Sequence, residues 1–216
     1  MENPQAAAAP QPAACPRSLA ASIAAAIPRL EGWCTPQKGE YIARCVLDCN
    51  AATIVELGVF GGRSAIAMAL ACRHKGSGRV HAVDPWATDE CLVGTHHAQD
   101  REWWGKVDLE VIYRGFLARM LELELTRELL PLRMSSASAA RLFGDDEVDV
   151  LHQDSNHSQE VSSAEVALWW PKVRRGGWWL FDDVDWPTTA NAYRALLDLG
   201  AEVRFNDGRW AALCKP

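Results

Sequence analysis

The run Ile54-Val55-Glu56-Leu57-Gly58-Val59-Phe60-Gly61-Gly62-Arg63-Ser64 constrains the fold more than any other stretch of the chain. An apolar segment closes on an acid, a glycine-rich turn follows, and Ala65-Ile66-Ala67-Met68-Ala69-Leu70-Ala71 continues with helical character. Strand, tight loop and helix in that order open an α/β unit of the nucleotide-binding kind. Gly58 can take backbone conformations closed to other residues and leaves no side chain between the loop and a ligand. Gly61 and Gly62 free the amides that begin the helix, where a carboxylate or phosphate is favoured. Such turns also arise for packing alone, so the rest of the chain has to decide.

Thr53 to Leu57 is the predicted first strand, and the helix after Gly62 runs to about His74. Gly76-Ser77-Gly78 turns the chain into a second strand, Arg79 to Val83, ending at Asp84. Strand-helix-strand implies a parallel sheet. In dinucleotide folds an acid about 20 residues past the glycines binds the ribose hydroxyls. Asp84 stands at that place, although an acid can also simply end a strand. Pro85 to Val107 then breaks the alternation with a polar, aromatic, His-containing insert, long for such a connection and read as a lid over about 86–107.

Asp108 to Leu125 keeps helical spacing, and Leu129 to Met134 is a short strand weakened by Pro131. Ser135-Ser136 caps a helix over Ala137 to Phe143. Glu147 to Gln153 is the fourth strand, ending at Asp154, and a helix over Val161 to Trp170 is stopped by Pro171. Gly176-Gly177 is expected to turn the chain into a fifth strand, Trp178 to Phe181, ending at Asp182-Asp183. Ala190 to Leu199 is a helix closed by Gly200. Two β runs around Asn206-Asp207-Gly208 predict a hairpin, so that the last strand is antiparallel.

Ahead of this unit, residues 1–16 are rich in Ala, Pro and Gln and are expected to be a disordered tail. Helices are expected over Ser18 to Ile27 and Gly39 to Asp48, within an N-terminal region 17–50 that either covers the site or pairs with a second subunit. A net charge of −6 and the lack of a basic stripe argue against nucleic acid as a partner. No apolar run reaches membrane-spanning length, and no signal peptide is read at the N-terminus. Seven cysteines without zinc spacing fit a reducing, cytoplasmic setting. Among the ten tryptophans are three adjacent pairs, which cannot all point inward. Some of them line a cleft or a subunit contact, and a homodimer is the expected assembly.

Glu56-Leu57-Gly58-Val59-Phe60-Gly61-Gly62-Arg63-Ser64 resembles the first motif of class I S-adenosylmethionine-dependent methyltransferases, and His81-Ala82-Val83-Asp84-Pro85-Trp86 resembles their second, ribose-binding motif. Leu151-His152-Gln153-Asp154-Ser155-Asn156-His157-Ser158, followed by Gly176 to Asp183, resembles a subgroup of small-molecule O-methyltransferases, some of them magnesium-dependent natural-product enzymes. The resemblance covers about residues 30 to 216, and Gln153 departs from it, since the family position before Asp154 is usually apolar. It implies a Rossmann-like three-layer sandwich with a seven-stranded, mostly parallel sheet in the order 3-2-1-4-5-7-6 and an antiparallel last strand. It further implies adenosylmethionine across the strand ends. Glu56 and Gly58 would line the methionine end, Asp84 would bind the ribose and Ser136 or its neighbour Ser135 would meet the adenine, with Phe60, Gly61, Ser64, Trp86 and Asp154 also among the cofactor-binding residues.

Methyl transfer to a hydroxyl needs in-line alignment and removal or stabilisation of the hydroxyl proton. If the fourth and fifth strands are neighbours, Asp154, Asp182 and Asp183 meet on one rim. Such acids repel one another unless protonated or bridged by a cation. Oxygen ligands suit magnesium or another hard divalent ion. His157, just past Asp154, is the candidate general base, since an ordinary histidine titrates near neutrality; a histidine that only caps the turn is the plain alternative. His96 and His97 on the lid are weaker candidates, and His152, inside a strand, is expected to be core. Trp86, Trp103, Trp104 and Trp186 form a possible apolar wall for a ring-bearing acceptor. The leading reading is methylation of a small-molecule hydroxyl. The alternatives are an NAD-dependent oxidoreductase and a non-catalytic adenosylmethionine-binding subunit.

Overall fold

The computed structural model describes residues 14–95 and 98–216; His96 and His97 of the insert, and residues 1–13 of the tail expected to be disordered, lie outside them. Seven strands form one sheet in the order β3-β2-β1-β4-β5-β7-β6. They are β1 (Thr53–Leu57), β2 (Arg79–Val83), β3 (Leu129–Leu132), β4 (Val148–Gln153), β5 (Val173–Phe181), β6 (Glu202–Asn206) and β7 (Ala211–Cys214). β1 to β5 pair in parallel, and β7 runs antiparallel between β5 and β6. Pro131, which has no amide to donate, sits in edge strand β3, where that loss is tolerated.

Strand alternation divides the core in two. Ile54, Val80, Ala82, Val150 and Leu180 face the helices α1 (Arg17–Ala26), α2 (Pro36–Asp48) and α3 (Arg63–Lys75). Val55, Leu57, Leu151, Trp179 and Phe181 face α8 (Gln159–Trp169) and α9 (Ala190–Asp198). Both faces of the sheet are thus covered, as a parallel sheet requires. Three smaller helices fall in the connections: α4 (Thr88–Cys91) and α5 (Ala98–Trp104) in the insert, and α7 (Ser136–Ala139) after β3, with the longer α6 (Leu109–Glu122) between them. No helix among the described residues is long and apolar enough to cross a membrane.

Two elements depart from the sequence reading. α2 begins at Pro36 rather than Gly39, with Thr35 as its N-cap, its hydroxyl accepting from Lys38 N at 3.2 Å. Thr-Pro is a strong start signal, cap then fixed φ, and it outweighs the glycine as a boundary. Gly176-Gly177 does not separate two elements: β5 runs through them. The register against β4 slips between Val148 and Val150, and Gly176 takes φ +70°. A glycine pair there makes a bulge instead of a turn.

Candidate functional site

The site grows from register. Glu56 on β1 and His152 on β4 are direct partners across parallel strands, so both side chains emerge on the face covered by α2 and α3. Ser64, in the first turn of α3, donates its hydroxyl to Glu56. His152 Nδ1 lies 2.8 Å from Glu56 Oε1, and its Nε2 lies 3.4 Å from Asp182 Oδ2 at the tip of β5. Lys38, in the first turn of α2, reaches the same Asp182 oxygen with its ammonium. Acid and base therefore alternate along Glu56, His152, Asp182 and Lys38. His152 is buried, but among ionisable groups rather than in the apolar core, which corrects the expectation for it. β-strand alternation alone puts it inside; the acid opposite on β1 makes that interior polar.

A second group lies outward of the first. His157 Nε2 is 2.6 Å from Asp183 Oδ2 and 3.8 Å from Asp154 Oδ1, and the His157 ring packs on Trp186 with centroids 4.8 Å apart. The ligand-type atoms of His152, Asp154 and Asp182 lie within 4.8 Å of one another, as do those of Asp154, His157 and Asp183. Asp154 belongs to both trios. The three acids do meet at one rim, but as two trios, each completed by an imidazole, rather than as one all-carboxylate set. Gln153, Asp154, His157 and Asp182 line a common small cavity with Phe181 and Thr189.

Burial opposes charge on each of these groups, and their neighbours decide the outcome. For His152, hydrogen bonding to Asp182 and Glu56 overcomes burial and lifts its pKa to about 9. For His157, Asp154 and Asp183 do the same and lift it to about 10. The site thus holds His157 as a cation at neutral pH, not as the free base expected from its ordinary value. For Asp154, burial and the charge of Asp182 act together and raise its pKa to about 7, with His157 opposing. Asp182 is held well below the carboxylate range because His152 and Lys38 outweigh its burial. Lys38 is held above its usual value because Asp182 outweighs burial.

These shifts set a sign. A histidine whose pKa is higher in the folded state stabilises the fold fully below its unfolded value of about 6.5 and loses that contribution as pH rises. For His152 and His157 the loss runs from about 6.5 up to about 9 and 10. The melting temperature in EDTA is therefore expected to fall between pH 7 and 10, and His157→Gln is expected to remove the upper part of that fall. A melting temperature constant across this range would contradict the charge assignment.

Asp84 works mainly on the loop. Its Oδ2 accepts from Val59 N and Phe60 N, both at 2.9 Å, and its Oδ1 from Trp86 N at 2.6 Å. A carboxylate offers about four lone-pair sites, so roughly one is left for a ligand hydroxyl. Burial raises its pKa against the pull of those amides. Phe60 and Trp86 take φ of +50° and +44°, conformations unfavourable for bulky residues that these bonds hold in place. Trp86 is buried against Tyr113 and Phe116 and donates its indole N–H to Phe60 O at 2.9 Å. It is a floor under the loop, not an exposed wall. Trp103 and Trp104 instead gather with Phe60 and Trp33, the last stacked on Phe60 with centroids 5.3 Å apart. Ser135 is the N-cap of α7, its Oγ accepting from Ser138 N at 3.3 Å, and Ser136 opens that helix.

Some partners of the site carry no sequence motif. Lys38 is one. Asn156 lies within the motif after β4, but its role comes from tertiary contact: its amide donates to the carbonyls of Glu90, Cys91 and Val93 at 3.0–3.2 Å, tying the insert to that loop. Thr95 adds two bonds to Glu160. Glu165 is buried on α8, its Oε2 accepting from Gln153 Nε2 at 3.0 Å and from the Ser155 hydroxyl at 2.5 Å. Gln153, the residue out of pattern, also donates to Ser162 O at 3.0 Å and accepts from Trp179 Nε1 at 3.2 Å. Its polarity is explained by that network. Gln153→Leu would leave Trp179 and Glu165 without these partners and is expected to cost about 1–3 kcal/mol, or about 2–12 °C in melting temperature at 2–4 °C per kcal/mol. A loss under 1 °C by calorimetry would show the network to be dispensable.

The fold is a Rossmann-like sheet with a reversed last strand, and an acid–imidazole cluster lies at the tips of β4 and β5. The sequence profile of the methyltransferase-domain family matches residues 55–184, and the chain belongs to that family. Similar solved structures include the O-methyltransferase NovP, at 22% identity and a TM-score of 0.63 over 85% of this chain and 83% of that one. They also include the calicheamicin methyltransferase CalS11, at 20% identity and 0.59 over 82% and 77%. A third is the O-methyltransferase TomG from Streptomyces achromogenes in complex with SAM, at 14% and 0.58 over 94% and 92%. At these identities the likeness is one of fold. No curated protein sequence matches.

Proposed function

We propose that the protein transfers the methyl group of S-adenosylmethionine to a hydroxyl of a small molecule, with Asp154 receiving the hydroxyl proton. The observation that carries this reading is the position of Asp154. It ends β4 beside the glycine loop of β1, it is flanked by two imidazoles, and it is the carboxylate of the cluster whose pKa lies near neutrality. Family membership in the methyltransferases, and the O-methyltransferases among its structural neighbours, support the same direction.

The donor fits the residues present. Glu56 Oε2 is buried and has no hydrogen-bond partner among the described residues, so a buried carboxylate oxygen at the tip of β1 awaits a donor group such as the methionine ammonium. Asp84 retains about one lone-pair site for a ribose hydroxyl, and Ser135 and Ser136 open the helix after β3, at the adenine end. A divalent ion such as magnesium also fits, with Asp154, Asp183 and a deprotonated His157 as its holders.

S-adenosylmethionine, when bound, would supply a methyl group whose carbon is made electrophilic by its bond to the sulfonium sulfur. A divalent ion, when bound, supplies charge stabilisation for the acceptor oxygen. The chain itself aligns and deprotonates. With the donor held by Glu56 and Asp84, Asp154 would take the O–H proton of the acceptor as its oxygen is methylated. His157 and its carboxylate partners fix the charge around that oxygen. Trp33, Trp103, Trp104 and Phe60 supply an apolar margin suited to a ring-bearing acceptor.

The test has two parts. S-adenosylmethionine at one hundred times its Kd is expected to stabilise the fold by about 2.7 kcal/mol, while NAD at the same concentration leaves the melting temperature unchanged. Incubation with the donor and a panel of phenols, sugars and polyketides is expected to show one acceptor gaining one methyl by mass spectrometry. Stabilisation by NAD alone would overturn the reading.

A further inference from the structure

We propose that the Lys38 ammonium is the resident cation of the inner half of the strand-tip cluster, so that a divalent ion is confined to Asp154, His157 and Asp183. The inference rests on reading this rim as the acceptor site, and it moves the ion away from Asp182.

Lys38 stands where a lysine is doubly disfavoured. It lies in the first turn of α2, next to the positive end of the helix dipole. Its side chain is only 13% exposed, although a lysine stem is long enough to carry its charge to water. Asp182, only 12% exposed, faces it and holds it inward. A buried ammonium persists only where a carboxylate compensates it.

The same Asp182 oxygen already faces His152 Nε2 at 3.4 Å. The inner carboxylate therefore has an imidazole on one side and an ammonium on the other. A divalent ion there would sit beside a fixed positive charge in a low-dielectric pocket, where repulsion is strong. The outer trio contains no ammonium: its own base, His157, has a ring nitrogen that can serve as a ligand, which the Lys38 ammonium cannot. His157 Nε2 lies between the two carboxylates, 2.6 Å from Asp183 Oδ2 and 3.8 Å from Asp154 Oδ1. An imidazole nitrogen and two carboxylate oxygens converging within 4.8 Å form a donor set that a hard or borderline divalent ion accepts once the imidazole proton is released.

Mn²⁺ binding to the full chain, followed by calorimetry and electron paramagnetic resonance, tests this without donor or acceptor. The wild-type protein is expected to take one ion. Lys38→Met is expected to bind it on the order of tenfold more tightly, or to admit a second ion, the scale on which neighbours of metal ligands act. Lys38→Arg keeps the charge and is expected to behave as wild type. Asp183→Asn is expected to weaken binding at least about tenfold, and Asp182→Asn to weaken it less. The proposal is overturned if the wild type takes no Mn²⁺, if Lys38→Met binds as the wild type does, or if Asp182→Asn loses as much affinity as Asp183→Asn. Should Lys38→Met fail to fold by circular dichroism, the two aspartate variants decide alone. An intact ion partition with no methyl transfer to any acceptor would overturn the functional reading and leave this one standing.

Discussion

Asp154→Asn is expected to lower kcat for methyl transfer by about 10²–10⁴-fold, the range that a positioned proton acceptor contributes. The amide keeps the size of the side chain but cannot take a proton. Binding of S-adenosylmethionine, read by its thermal shift, is expected to change little, since the donor contacts proposed above are Glu56 and Asp84. The pH profile, taken in EDTA so that no ion occupies Asp154, gives a second readout. In the wild type, kcat is expected to rise as pH passes through about 7, where Asp154 becomes a carboxylate, and in the variant that limb is expected to vanish. A variant retaining a tenth or more of wild-type kcat with the same pH limb would remove Asp154 from the chemistry.

Gly58→Ala is expected to abolish the native fold or to destabilise it by more than about 3 kcal/mol, among the largest effects of a single methyl group. Two causes add. Gly58 has φ +81°, and a Cβ there would run into the carbonyl oxygen of Asp154 and the Cα of Ser155. Both obstacles are backbone, so no side chain can swing aside. The Asp154 amide also donates to Leu57 O at 2.9 Å, which pins the two loops together. The expected measurement is a melting temperature lowered by 6 °C or more, at roughly 2–4 °C per kcal/mol; a shift below 2 °C would mean that the loops separate freely. By contrast, Gly76 also has a positive φ, but an added Cβ would meet nothing there.

The reason for Gly58 illustrates how far sequence reasoning reaches. Its presence in a strand-loop-helix turn is legible from local chemistry, and a ligand close to the backbone is the natural explanation. The structure shows that the close neighbour is the protein itself, the loop after β4. Asp84 follows the same course: its placement after β2 was readable, while its bonds to three loop amides depend on how that loop folds back. His157 was visible as a histidine beside an acid. Its charge was not, because Asp183 approaches it from a different strand.

The roles of Lys38 and His152 stay hidden in the sequence for one shared reason. Each looks ordinary there, a lysine just ahead of an expected helix and a histidine inside a strand. Each becomes unusual only through a partner distant in the chain, Asp182 for the first and Glu56 for the second. Gln153 was noticed as out of pattern, yet its meaning lay in Trp179 and Glu165, which pack against it from β5 and α8.

By itself the sequence determined the run of elements, the acids that end its strands and, through the hairpin, the reversed final strand; the strand order that gathers those acids on one rim was implied by the family resemblance. The elements follow from alternation, helical spacing and turn chemistry, all of which act over a few neighbouring residues. Only the tertiary structure decided which acid faces which base, and therefore which groups carry charge. Ionisation in a buried site depends on distances between side chains that the backbone brings together from separate strands, and no local pattern encodes those distances.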